Sequence, residues 1–179
     1  KKMDNIRVYR EWAPKIAESA FIDPSAQIIG RTVIGVDSSI WPLVSVRGDV
    51  HYIEIGERSN IQDNSSLHVT QPNKIAPDGY PLIIGDEVTV GHSCTLHACT
   101  IGNRCLIGMG STILDGAVLE DEVFLAAGSL VSPGKKLEGG FLWRGSPAVK
   151  ARKLTDAEFA WLKTSADNYV ELKDEYLAL

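Results

Sequence analysis

The chain has 179 residues, 44% hydrophobic and 23% charged, enough for one sizeable core with at most a small appendage. A net charge of −5 with no offsetting basic run argues against a nucleic acid or an anionic membrane as partner. No apolar stretch approaches the roughly 18 residues of a membrane span. The start, KKMDNIRVYREW, holds no apolar leader, and three cysteines without scaffold spacing suit a reducing cytoplasm.

Residues 1–19 read as an irregular lead-in over the first coil of a repeat. Aliphatic residues then recur every six positions at Ile22, Ile28, Ile34, Ile40 and Val46, with Tyr52 closing the run. The register slips by three to Ile55, Ile61 and Leu67, and resumes at Ile84, Val90 and Leu96. One short step of five leads to Ile101, after which Ile107, Ile113, Leu119, Leu125, Val131 and Leu137 follow in step. Six residues suit a short strand plus a sharp corner, three such units close a triangular coil, and stacked coils pair strand over strand. The repeated aliphatic fills the axis. The residue two before it shares its inward parity and is small, as at Ala26, Ser38, Ser65 and Ala117. Cys94, Cys99 and Cys105 hold that same position and are predicted to be inward packing residues, not ligands or nucleophiles. Glycine often follows the aliphatic directly, as at Gly35, Gly56, Gly85 and Gly108, and is expected to ease the corner through its backbone freedom.

This pattern resembles the hexapeptide-repeat family, which implies an all-β core folded as a left-handed parallel β-helix, here over residues 20–140. Residues 70–82, TQPNKIAPDGYPL, hold breakers and no aliphatic in register, and read as a loop extruded from one corner. A connector over 141–154 leads to a C-terminal α-helix over 155–177. Thr155 and Glu158 form a capping box at its start, and Phe159, Leu162, Ala166, Tyr169, Leu172 and Tyr176 form its apolar stripe.

If the loop is skipped, Leu67 to Leu96 is one full coil, and His68 and His97 each directly follow their aliphatic. Their backbones are then about 4.8 Å apart, from which two imidazoles can share an ion. His92 lies on another side of the prism and reaches such an ion only from a neighbouring copy, if three prisms pack about a threefold axis. Spacing alone does not supply that trimer.

The segments VRGDV (46–50), NIQDNSSLH (60–68) and GHSCTLH (91–97) together resemble the gamma-class carbonic anhydrase family, in its short YrdA-like bacterial branch. The resemblance implies a homotrimer with Zn2+ or Fe2+ held at each subunit interface by His68 and His97 of one chain and His92 of the next. It assigns Arg47 and Asp49, with Asp63, to the subunit contacts. It further implies that Asn60, Gln62 and Asp63 form the polar cluster near the metal and that Tyr169 reaches it from the helix, with Gln62, Asn60 and Tyr169 as the catalytic residues. Three neutral imidazoles leave one coordination position for water, whose pKa a divalent ion lowers to about 7, giving a nucleophile for carbon dioxide and bicarbonate as product. The chain departs from the archetype in having Val50 in place of a glutamate, and only Asp78 in the loop that is acid-rich there. Two other readings stay open: a hexapeptide-repeat acetyltransferase using one histidine base, and a non-catalytic metal-binding trimer.

Overall fold

The computed structural model describes residues 4–179. They form a left-handed parallel β-helix closed at one side by helix α1 (Asp156–Leu177). One face is an eight-stranded stack running from Phe21–Ile22 through Ser39–Ile40, Asn60–Ile61 and Thr89–Val90 to Phe141–Gly145, with Ala148–Lys153 added antiparallel. The other two faces form one twelve-stranded sheet, because Gln27–Ile34 and Ser45–Ile55 run unbroken round the corner between them. The repeat aliphatics stack in register, Ile28 on Val46, Leu67, Leu96, Ile113 and Val131, and all are buried. The connector expected over 141–154 is thus a β-hairpin. The lead-in contributes Ile6–Arg7 and Lys15–Ile16, both parallel to Gln27–Ile34.

Cys94, Cys99 and Cys105 are unpaired and buried, and burial pushes the Cys105 thiol up to about 12, far from a reactive thiolate. The glycines require a correction. Gly35, Gly56, Gly85 and Gly108 do not have left-handed backbones; the corners are turned instead by residues such as Asp37, Arg58, Asn64, Glu87, Ser93 and Ala98. A Cβ on Gly35 would lie 2.5 Å from the Gly56 oxygen, and one on Gly108 would lie 2.3 Å from the Ala127 nitrogen. These glycines are kept because the next coil passes too close for a side chain.

Helix α1 opens with the expected capping box, Thr155 accepting from the Glu158 N–H and Glu158 accepting from the Thr155 N–H. It lies on the eight-stranded face, where Tyr169 and Tyr176 meet Trp41 edge-on with centroids 5.5 and 4.9 Å away. The stripe differs towards its end: Leu172 and Tyr176 are 36% and 43% exposed, and Lys173 is buried instead. Lys173 Nζ donates to the Ser19 carbonyl (2.8 Å) and to Asp37 Oδ1 (2.9 Å), pinning the helix end to the first coils. Burial pulls the Lys173 pKa down, but Asp174 and Asp37 outweigh it and leave it raised; the Lys173 ammonium holds that of Asp37 low. A lowered carboxylate stabilises above its unfolded value and loses that as pH falls through its folded pKa. A raised amine stabilises below its unfolded value and loses that as pH rises through its folded one. Protection of the 170–177 amides is therefore greatest between roughly pH 5 and 9. Asp37→Asn is expected to speed their exchange about tenfold at pH 7, the effect of one charge-assisted hydrogen bond. No change in hydrogen exchange would mean that the pin carries no load. Among the described residues no helix is long and apolar enough to cross a membrane.

Candidate metal centre

All three irregularities of the repeat fall at one corner, between the two faces of the twelve-stranded sheet. The offset between stacked partners grows from 18 at Gly30–Gly48 to 21 at Thr32–Ile53, so three extra residues bulge out beside Asp49. The loop raises the offset between His68 and His97 to 29. Above His97 the offset is 17 at Leu96–Ile113 but 18 at Thr100–Val118, so the unit that holds His97 is one residue shorter than the regular six-residue unit that holds Asp115. This corner brings two of the candidate ligands together. His68 and His97 are register partners, with His68 Nδ1 3.3 Å from His97 Nε2. The outer nitrogen of each meets a carboxylate: His68 Nε2 lies 2.9 Å from Asp49 Oδ1, and His97 Nδ1 lies 2.6 Å from Asp115 Oδ1.

Burial raises the Asp49 pKa, but Arg47 (2.7 Å), the Val50 N–H and His68 outweigh it and bring it to about 2. Asp115 is likewise lowered: burial opposes, and Thr70 and His97 prevail. Both are therefore ionised and can only accept, which places the proton on the outer nitrogen of each histidine. The inner nitrogens, His68 Nδ1 and His97 Nε2, then face each other with lone pairs. Two ligands about 2.05 Å from one ion at the tetrahedral angle lie about 3.3 Å apart, so the observed separation fits a shared zinc-type ion. Carboxylates behind ligand imidazoles are also the usual outer shell of such a site.

The third candidate histidine lies at another corner. His92 Nδ1 is 3.1 Å from Asp63 Oδ1, one coil beneath it, which leaves Nε2 open. His92, His97 and Asp63 each directly precede a left-handed residue (Ser93, Ala98 and Asn64), which sets all three at prism edges. Gln62 and Asn60, both buried, adjoin Asp63, and Gln62 Nε2 donates to Asn60 Oδ1 at 3.0 Å. Tyr169 faces the same region; burial and the Asp63 charge raise its pKa, so its hydroxyl stays a donor. No group of three metal-capable side chains converges within the described residues of one chain. The structure brings His68 and His97 together and leaves His92 apart from them.

Arg47 is paired with Asp49 inside the chain, and Asp49 serves His68, a task the sequence did not disclose. Asp115 was missed altogether, although the short step from Leu96 to Ile101 marks its corner. His51 tethers the loop, its Nε2 3.0 Å from the Asp78 carbonyl. Val50 packs against the core.

Residues 98–133 match the family described as Bacterial transferase hexapeptide (six repeats). The chain is 55% identical to Protein YrdA of Escherichia coli, covering 97% of this chain and 95% of the relative. It is 46% identical to mitochondrial gamma carbonic anhydrase 1 of Arabidopsis thaliana, over 93% of this chain but 60% of that longer protein. A solved Bacillus cereus structure, provisionally assigned as an acetyltransferase, superposes with a TM-score of 0.90 at 45% identity, covering 96% of this chain and 95% of the other.

Proposed function

The chain belongs to the hexapeptide-repeat superfamily, in its gamma-carbonic-anhydrase-like YrdA branch, and from that membership we propose that it is a homotrimeric metalloprotein for the reversible hydration of carbon dioxide. Its ligands are His68 and His97 of one subunit with His92 of the next, and its ion is Zn2+ or, in its place, Fe2+. The observation that carries this reading is the pair of lone pairs at His68 Nδ1 and His97 Nε2, 3.3 Å apart, with both protons drawn to the opposite side of the rings. Two such lone pairs repel unless an electron-pair acceptor lies between them. A divalent ion, when bound, supplies the lowered water pKa that the reaction needs at neutral pH.

The residues of the chain do the rest. Asp49, Asp115 and Asp63 fix the tautomer and tilt of their three histidines. Gln62 keeps its Nε2 on Asn60, which leaves its Oε1 as an acceptor for substrate or water, and Tyr169 adds a hydroxyl donor. Val50 offers no carboxyl for exporting the proton. That substitution favours a second reading, a metal-binding trimer in which hydration is slow. The buried, unpaired thiols suit a reducing compartment, the cytoplasm.

Metal analysis of gently purified protein is expected to give about one ion per subunit. His92→Ala is expected to lose it while the trimer persists; full metal content in an intact trimer of that variant would falsify the shared site. Stopped-flow hydration on zinc- and iron-loaded protein tests the activity, and rates equal to buffer for both ions would remove the anhydrase reading. Acetyl-CoA binding on the same sample separates out a transferase.

A further inference from the structure

A column of polar side chains runs under helix α1 where the rest of that face is largely apolar. The outward-facing residues of the eight-stranded face stack as Phe21, Ser39, Asn60, Thr89, Leu106 and Phe124. Asn60 and Thr89 are 1% and 4% exposed, and Ser165, which meets them from the helix, is 6% exposed. Their hydrogen bonds form one chain. Gln62 Nε2 donates to Asn60 Oδ1 (3.0 Å), Asn60 Nδ2 donates to Thr89 Oγ1 (3.2 Å), and Thr89 Oγ1 lies 3.1 Å from Ser165 Oγ.

Burying such groups costs free energy that an apolar column of similar shape would not incur, so stability alone does not account for them. Their effect is on Gln62. A carboxamide can present either its oxygen or its NH2, and a free one rotates between the two. Tying Nε2 inward leaves Oε1, which has no partner among the described residues, as the end offered outward. Asn60 can hold that nitrogen only while its own NH2 has an acceptor, and Thr89 is that acceptor. Thr89 in turn is fixed by Ser165, one helical turn before Tyr169.

We infer that Thr89 and Ser165 are positioning residues: through Asn60 they hold the Gln62 carboxamide with its oxygen facing the site, and so make the C-terminal helix part of the machinery for the reaction. The role of Gln62 rests on the carbon dioxide reading above; the orientation of its amide does not.

The test uses the full-length, metal-loaded protein with 15N-labelled side chains, the Gln62 NH2 signals being identified by their loss in Gln62→Glu. In the native protein the NH2 proton held by Asn60 is expected to exchange slowly. Thr89→Val is expected to speed that exchange about tenfold or more, as for loss of one buried hydrogen bond, and Thr89→Ser to restore the slow rate. Ser165→Ala is expected to shift the signals in the same direction by less. Asp37→Asn, which loosens the helix at its other end without touching the column, is the control for a merely structural effect. Unchanged Gln62 signals in Thr89→Val, or equal acceleration in Asp37→Asn, would overturn the inference. Where hydration is measurable, Thr89→Val is expected to lower kcat about tenfold at unchanged KM and metal content. A native protein without hydration activity would remove the proposed function, while the carboxamide signals still decide the relay.

Discussion

Mixing His92→Ala subunits with His97→Ala subunits is expected to restore about one quarter of the metal sites, although neither variant alone should complete any. In a trimer with three shared sites, each site draws His68 and His97 from one chain and His92 from its neighbour. Every site of either pure variant therefore lacks a ligand. In a random mixture, a site is whole when its pair comes from a His92→Ala chain and its third ligand from a His97→Ala chain. Each condition holds with a chance of about one half, hence one quarter overall. The deficit in each pure variant should exceed the 10–100-fold loss typical when only an outer-shell partner is removed. Metal content after co-refolding, or after mixing in mild denaturant, reads the result directly. Absence of recovery in verified mixed trimers would mean that the ligands do not cross between chains. The expectation follows from geometry: His92 sits at a different prism corner from the His68–His97 pair, with its Nε2 open.

Gly108→Ala is the second large effect. The added Cβ would stand 2.3 Å from the Ala127 nitrogen and 2.7 Å from the Ala126 carbonyl carbon, and both are backbone atoms of the next coil. A rotamer change cannot relieve such a contact, so the coils must separate locally. The expected cost is about 3 kcal/mol or more, at the upper end for overpacking. Gly134→Ala makes the opposite comparison. Gly134 has φ +72° but nothing within 4 Å of a built Cβ, so only backbone strain of about 1 kcal/mol is expected. Urea midpoints at constant m-value check the ranking. If Gly134→Ala proved the more damaging, conformational freedom and not coil spacing would be the reason for glycine in this repeat.

The two kinds of glycine show where reading the chain stops short. Both kinds sit near corners, the crowded ones directly after a repeat aliphatic and the left-handed ones, such as Gly110, Gly116, Gly128 and Gly134, three after it, but the period alone does not say which position is crowded and which is left-handed. The distinction depends on which atoms the next coil brings alongside. The same holds for the helix. Its capping box is local, three residues apart, and is legible as such. That Lys173 replaces Leu172 on the buried face is not, because its partners Asp37 and Ser19 lie more than 130 residues away.

His68 and His97 were legible because both follow a repeat aliphatic, and removing the loop makes Leu67 and Leu96 partners, which they are. The inward cysteines follow from the same parity. Asp115 was not legible: it is an unremarkable acid until the shortened unit beneath it brings His97 within reach. The polar column from Gln62 to Ser165 was hidden for a related reason, since its members at 60, 89 and 165 are joined only by stacking and by the docked helix.

The sequence by itself determined the period, and the period dictates the rest of the framework: a short strand, a corner, three to a coil, one aliphatic on the axis. Repetition carries that information because each coil meets the next in the same way, so a local pattern becomes a tertiary contact at a fixed offset. The tertiary structure decided which ring nitrogens meet carboxylates, which carboxylates those are, and that His92 stands at a different corner from His68 and His97. The first two depend on where the repeat breaks: three extra residues beside Asp49, a loop after His68 and one residue fewer after Leu96 gather at a single edge, and only stacking brings them together.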